Sequence, residues 1–264
     1  MPQISVVIAA HNADKDIVHC LESVSRQSFQ DFEIIVVDDG STDQTYAVLE
    51  AYREREPRLI IMRNDRNMGL AASLNSGIAA ANSDLILRAD ADDINLPERF
   101  AEQYRFMLEH PDVDVLGSAA FLDRGVGTEM PVARLPLTHE EIVAQSFLKS
   151  MFFHPSVIIR RRFFDKAGFY DPKFLRAQDK ELWIRGASAG CIYANLPSPL
   201  IRYHMPDSRR TWKQIERELK FLFAIGRRHN PSAWKSLLVL HAVRVVAVKL
   251  GLYVPRSQRS STAA

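Results

Sequence analysis

The chain has 264 residues, 47% hydrophobic and 25% charged, with a formal net charge of +2. That balance excludes a largely disordered chain and leaves room for one large domain or two intimately packed halves. Cys20 and Cys191 lie far apart without metal-ligand spacing, and Met1-Pro2-Gln3-Ile4 lacks the basic start and apolar core of a signal peptide, so a reducing, cytoplasmic compartment is expected.

Ile4–Ala9 reads as a strand, and Ile17, Val18, Leu21 and Val24 give helical spacing within Ala13–Ser25. Between them, Ala9-Ala10-His11-Asn12 has none of the glycines of a G-x-G-x-x-G turn, which disfavours a dinucleotide-binding oxidoreductase. A second strand, Phe32–Val37, runs into Asp38-Asp39-Gly40-Ser41-Thr42-Asp43. Ser41 or Thr42 suits the cap of the helix that follows through Tyr52, which frees Asp38 or Asp39 to accept hydrogen bonds from a ligand. Leu59–Met62 is a third strand, Arg63–Gly69 a polar loop, and Leu70–Ala79 a helix whose small residues allow close packing on a sheet.

The fourth strand, Leu85–Ala89, breaks into three carboxylates within four residues, Asp90, Asp92 and Asp93. Apolar strands that alternate with helices predict a parallel sheet covered on both faces, with right-handed crossovers and ligands beyond the carboxyl ends of the strands. Residues 9–12, 38–39, 63–67 and 90–93 all fall at such ends. Clustered carboxylates repel unless a cation lies among them, and Mg²⁺ or Mn²⁺ takes oxygen ligands together with a diphosphate. The bland alternative is a solvated acidic turn, with Asp93 or Asn95 capping a helix that begins near Pro97.

The second half is less regular. Val113–Leu116 and Ala119–Leu122 read as strands around the turn Gly125-Val126-Gly127, and Thr138-His139-Glu140-Glu141 is a capping box that opens a helix to Leu148.

Ile4–Asn12, Phe29–Asp43, Asn67-Met68-Gly69-Leu70-Ala71 and Arg88-Ala89-Asp90-Ala91-Asp92-Asp93 with Leu96-Pro97-Glu98-Arg99 together resemble the family-2 glycosyltransferases of the GT-A fold. The resemblance covers roughly the first 205 residues. It implies an α/β fold of GT-A type, a Rossmann-like, mostly parallel sheet flanked by helices. It also implies an inverting transfer from a nucleotide-sugar donor to a saccharide or lipid-linked acceptor in surface polysaccharide synthesis. A nucleotide-sugar-binding half (1–110) and an acceptor half (111–205) would make up a catalytic domain, 1–205.

By the same resemblance Ala9 and His11 contact the base, and Asp39 accepts a hydrogen bond from the base N–H, as a UDP donor would offer. Asn67 lines the nucleotide site, Asp90 faces ribose or donor sugar, and Asp92, together with Asp90, holds Mn²⁺ or Mg²⁺, with His204 as a third metal or diphosphate contact; Asp93 is a helix cap. Phe153-His154-Pro155-Ser156 brings a histidine toward the active site, or leaves it satisfied by backbone. Arg176-Ala177-Gln178-Asp179-Lys180-Glu181-Leu182-Trp183 matches the family's Glu-Asp-x-Asp-Leu-Trp stretch, with Gln178 and Glu181 as departures. Asp179 keeps the position of the general base, the alternative being a helix cap, and loss of a charge at Gln178 is expected to lower its pKa slightly.

Residues 201–264 hold thirteen Lys/Arg against three Asp/Glu, a net +10 that leaves −8 for residues 1–200. Arg202, Arg209 and Arg210 could grip phosphate. Two C-terminal amphipathic helices are expected, at Thr211–Arg228 and Ser232–Tyr253, followed by a disordered tail, 255–264. The basic, amphipathic 201–254 segment points to peripheral contact with the inner face of a membrane, or to packing on the body. Nucleic acid is disfavoured because no recognition motif accompanies the charge. Two other functions stay open: a catalytically silent nucleotide-sugar-binding module, and a sugar-phosphate nucleotidyltransferase that would lack its glycine-rich loop.

Overall fold

Strand Ile4–Ala10 (β1) and strand Phe32–Asp38 (β2) are buried almost throughout in the computed structural model, as two-sided coverage by helices requires. The structure describes residues 1–123, 135–146, 150–174 and 176–204. The expected turn at Gly125-Val126-Gly127 and both C-terminal helices lie outside these residues, as do Arg209 and Arg210.

β1 pairs in parallel with β2 and with Leu85–Asp90 (β4), and β2 pairs in parallel with Leu59–Arg63 (β3). Helices Ile17–Ser25 (α1), Thr45–Arg53 (α2) and Leu70–Ala80 (α3) make the crossovers. Ile17, Cys20, Leu21 and Val24 of α1 are buried, the face that the apolar spacing predicted. In α3, Gly77 lets the helix approach Val7 and Val37, because a Cβ there would meet their side chains.

The sheet has eight strands in the order β3-β2-β1-β4-β7-β6-β8-β5, completed by Ile94–Asn95 (β5), Val115–Asp123 (β6), Ile158–Arg160 (β7) and Tyr193–His204 (β8). The chain leaves β1 in one direction toward β2 and β3, then returns to the other side of β1 with β4. That reversal opens a crevice at the carboxyl ends of β1 and β4. Register aligns those ends: Ala9 sits opposite Val37 and Asp90, and Asp38 opposite Ala10 and Arg63.

The second half departs from the expectation in specific ways. Val113–Leu116 and Ala119–Leu122 are not two strands; β6 runs unbroken through Gly117. Its missing Cβ is needed where the Asn195 side chain and the Phe152 ring close in, so this glycine serves packing. β8 starts at Tyr193, before the Leu200–His204 stretch read as the closing strand. It passes Pro197 and Pro199 by slipping register against β6 between Ser118 and Ala120, where prolines lacking an N–H are tolerated. β7 runs antiparallel to β4 and β6, so the sheet is parallel in its first half and mixed in its second.

The Thr138 capping box forms as expected, and its helix His139–Gln145 (α5) starts one residue later. Helix Arg99–Glu109 (α4) is capped by neither Asp93 nor Asn95: its N-cap is Glu98, with no side-chain cap bond. Asn95 instead accepts from Nη1 of the buried Arg99. Ser41 and Thr42 do not cap α2 either. They bond Asn12, Ser41 Oγ accepting from its backbone N–H at 3.0 Å, while Asp43 accepts from Thr45 N–H at 3.0 Å.

Candidate active site

At the carboxyl end of β2 the two aspartates are drawn into the scaffold. Asp38 is fully buried, accepts from Ser41 N–H at 3.1 Å and pairs with Arg63 at 3.1 Å. Asp39, 3% exposed, accepts from Asn64 Nδ2 and Met68 N–H through Oδ1, at 2.8 and 2.7 Å, and from Gly69 N–H through Oδ2 at 2.8 Å. Burial raises its pKa, but the hydrogen bonds from Met68, Asn64, Ser73 and Gly69 outweigh it and hold the carboxyl below the usual range. Gly40 turns the chain at φ +64°, a conformation that favours glycine, and its Cα lies against the backbone of Arg66 and Asn67 where a Cβ would collide. Two loops are thereby locked together. Exposed His11 joins them, its Nδ1 donating to the Asp39 carbonyl at 2.9 Å, and exposed Asn67 accepts from Gly69 N–H at 3.0 Å.

The end of β4 is the opposite case. Asp90, Asp92 and Asp93 each bring a carboxylate oxygen within 4.8 Å of the others. Asp93 is 1% exposed; its Oδ1 accepts from His204 N–H at 2.7 Å, and its Oδ2 has no partner among the described residues. Burial first, then the charge of Asp90, pushes its pKa up to about 8. Asp92 is exposed, and desolvation followed by the charge of Asp90 raises it too. An all-oxygen set with an unfilled lone pair and mutual repulsion fits a hard divalent cation. Asp93 therefore belongs with the cluster rather than with a helix cap. His204 ends β8 beside it, bound through its backbone N–H.

The other wall is built from the segment between β7 and β8. Helix Arg161–Ala167 (α6) ends at Gly168, and Tyr170 is then pinned to α3: its N–H donates to Asn75 Oδ1 at 3.0 Å and its carbonyl accepts from Asn75 Nδ2 at 2.8 Å. Its hydroxyl meets His154 Nε2 at 2.7 Å, so His154 is satisfied by a side chain and not by backbone. Burial, then the charge of Arg88, keeps that histidine neutral.

Asp179 stands in the first turn of helix Gln178–Ser188 (α7). Its pKa is raised, by burial first, against the lowering influence of the Lys180 N–H and of Arg88. The slight lowering expected from Gln178 is overturned, because desolvation outweighs the loss of one neighbouring charge. Glu181 is buried and pairs with Arg185 at 2.7 Å, which in turn donates to the carbonyls of Ala167 and Phe169, so this departure from the motif braces α7 against α6.

Ala9, Asp90, Asp92 and His204 thus converge at the crevice, His11, Asp39 and Asn67 form one bonded loop system beside it, and Asp179 approaches from α7. What sequence reasoning passed over is Arg88. It is 3% exposed, its Nη2 bonds Asp90, and its charge also acts on Asp93 and Asp179. The available signal was a cation between Leu87 and Ala89 in a strand read as buried, since buried charges are paired.

A sheet of this order, with acids at its switch point, defines a GT-A glycosyltransferase. S. aureus TarS 1-349 in complex with UDP-GlcNAc superposes with a TM-score of 0.69 over 87% of this chain and 68% of that one, at 22% identity. The chain belongs to glycosyl transferase family 2, whose profile matches residues 5–169. The amylovoran biosynthesis glycosyltransferase AmsE of Erwinia amylovora is 33% identical over 222 residues, 82% of this chain and 83% of that protein. The Escherichia coli UDP-Gal:alpha-D-GlcNAc-diphosphoundecaprenol beta-1,3-galactosyltransferase is 29% identical over 217 residues, covering 81% and 77%.

Proposed function

We propose that this glycosyltransferase moves a hexose, with inversion, from a uridine-diphosphate donor to a saccharide or lipid-linked saccharide acceptor in surface polysaccharide synthesis. The observation that carries the reading is the cluster Asp90, Asp92 and Asp93, oxygens within 4.8 Å, at the switch point of the sheet, with Arg88, bonded to Asp90, also acting on Asp179. The UDP-GlcNAc bound by TarS and the diphosphoundecaprenol acceptor in the galactosyltransferase's name support the donor and acceptor classes.

Asp90 and Asp92, with Asp93 and His204 beside them, would hold Mn²⁺ or Mg²⁺. Such an ion neutralises the negative charge of a diphosphate leaving group. Ala9, His11 and Asn67 line the base end, and Asp39 serves it by fixing the Asn64–Gly69 loop, a base N–H then sharing an oxygen that already accepts from the loop. In the transfer, Asp179 accepts the proton of the acceptor hydroxyl as that oxygen bonds to the anomeric carbon; the bond from that carbon to the diphosphate breaks on the opposite face, and the diphosphate leaves with the electron pair. A base raised by burial is stronger than an ordinary carboxylate, which suits this role.

Residues 1–110 would bind the donor and 111–205 the acceptor, with the basic segment 201–254 resting on an anionic membrane surface. No helix among the described residues is long and apolar enough to cross a membrane. Turnover of a nucleotide-sugar panel, with and without Mn²⁺, tests the reading: UDP-sugars should be used in a metal-dependent way, and absence of metal-dependent binding to any donor would overturn it. Anionic vesicles should pellet the full chain at low salt and release it at high salt; equal, negligible pelleting on anionic and neutral vesicles would remove the membrane role.

A further inference from the structure

Two arginines lie buried behind the acidic cluster, and they are provided for very differently. Arg99, fully buried, spends its guanidinium inside the scaffold: Nε donates to Gln103 Oε1 at 3.0 Å, Nη1 to Asn95 and Nη2 to the Arg88 carbonyl at 2.9 Å. Arg88 is held by its backbone, through that carbonyl and through its N–H on the Val157 carbonyl at 2.9 Å, while its side chain is only partly used. Nη2 meets Asp90; Nε and Nη1 are buried with no partner among the described residues. Leaving donors of a buried cation unmade is costly, and such exceptions collect where structure is built for chemistry.

We propose that Arg88 is a positioning residue for the transfer, its Nη2 orienting Asp90 while its charge reaches Asp179 and holds that carboxylate ready to accept a proton. The inference rests on the transferase reading above. Among the described residues, the charged and titratable groups that act on or feel Asp179 are Arg88 from β4, Lys180 from its own helix, Tyr170 from the segment before α7, and Tyr203 from β8. Arg88 is the cation among them that comes from the strand bearing Asp90, so it links the diphosphate end of the crevice to the base. Lys180 is Asp179's chain neighbour and reaches it from α7 alone.

The role makes opposite demands on metal binding and on chemistry, which separates it from plain support of the fold. With Arg88→Met, the cluster loses the cation beside Asp90, so Mn²⁺ titrated into the full chain without nucleotide, followed by electron paramagnetic resonance, should bind at least about tenfold tighter. Transfer should fall nevertheless, and the acid limb of kcat against pH should move up by about one unit or more as Asp179 loses its counter-charge. Arg88→Lys keeps a point charge and should leave the acid limb close to the wild-type position, with kcat lowered because a flexible ammonium cannot reproduce the fixed placement of Nη2 on Asp90.

Unchanged Mn²⁺ affinity with an unmoved acid limb in Arg88→Met would overturn the inference. So would failure of both variants to fold, or metal and donor binding lost together with thermal stability, since Arg88 would then be a structural arginine. If the wild-type chain itself bound no Mn²⁺, the metal-dependent transferase reading would fail instead, a result visible before any variant is made.

Discussion

The ends of β2 and β4 place the same residue type in opposite circumstances. Asp39 is ringed by donors, each bonded oxygen already in use, and its pKa is lowered; Asp93 lies among carboxylates, keeps one oxygen without a partner among the described residues, and is pushed up to about 8. Both are buried. A buried acid saturated by backbone N–H groups is part of the loop's architecture, whereas one starved of donors and surrounded by like charge is a place for something positive to arrive. Motif strings alone do not separate these cases, because Asp-Asp occurs in both.

The largest effect is expected where the comparison is most extreme. Asp92→Asn should abolish donor turnover, because a neutral amide cannot balance a cation on a diphosphate. Unchanged Mn²⁺-dependent turnover would remove Asp92 from the site and the contrast with it.

Asp179→Asn comes next: transfer should fall by roughly two to four orders of magnitude with donor affinity kept, the usual worth of a general base. Calorimetry with UDP beside a transfer assay checks this, and joint loss of affinity and thermal stability would make Asp179 structural. In the wild type the rate should rise with pH through the raised pKa of Asp179, since only the ionised form accepts a proton; a profile flat down to the ordinary carboxylate range would contradict the burial of this group.

Smaller effects test stability in the two regions. Asp39→Asn puts an amide donor against the N–H of Gly69 and should cost about 1–3 kcal/mol, the usual penalty for an unmatched buried group, read from denaturant unfolding. The pH slopes should then oppose one another. Asp39 has a depressed folded pKa, so its stabilisation is present above the unfolded carboxylate value and is lost as pH falls through the folded one. Asp93 has a raised one, so with divalent ions chelated the fold should lose stability as pH climbs from the ordinary carboxylate range to about 8, and Asp93→Asn should flatten that slope. Melting curves across this range decide it; parallel slopes in the two variants would dissolve the distinction between the strand ends.

Much of the first half was legible in the chain itself. Strands such as Phe32–Val37 and Leu85–Ala89, apolar on both faces apart from Glu33 and Arg88, have a single comfortable environment, a sheet covered on both faces, and the helices between them dictate parallel pairing. With parallel pairing, the ends of those strands must gather on one side, which by itself brings Ala9, Asp39 and Asp90–Asp93 to the same edge. The tertiary structure decided what local pattern does not encode. Gly117 and the prolines of β8 look like breakers until the approach of Phe152 and Asn195 and the slip in register show why the strands continue. Asp93 became a member of the acidic cluster because His204, 111 positions away, gives it a backbone N–H, and because its other oxygen is buried without a partner among the described residues. Asp179 is raised rather than lowered because desolvation depends on everything packed around it, which neighbouring letters do not reveal. The role of Arg88 emerged for the same reason: a cation in a buried strand announces that it must be paired, but only the folded chain shows which acids it reaches.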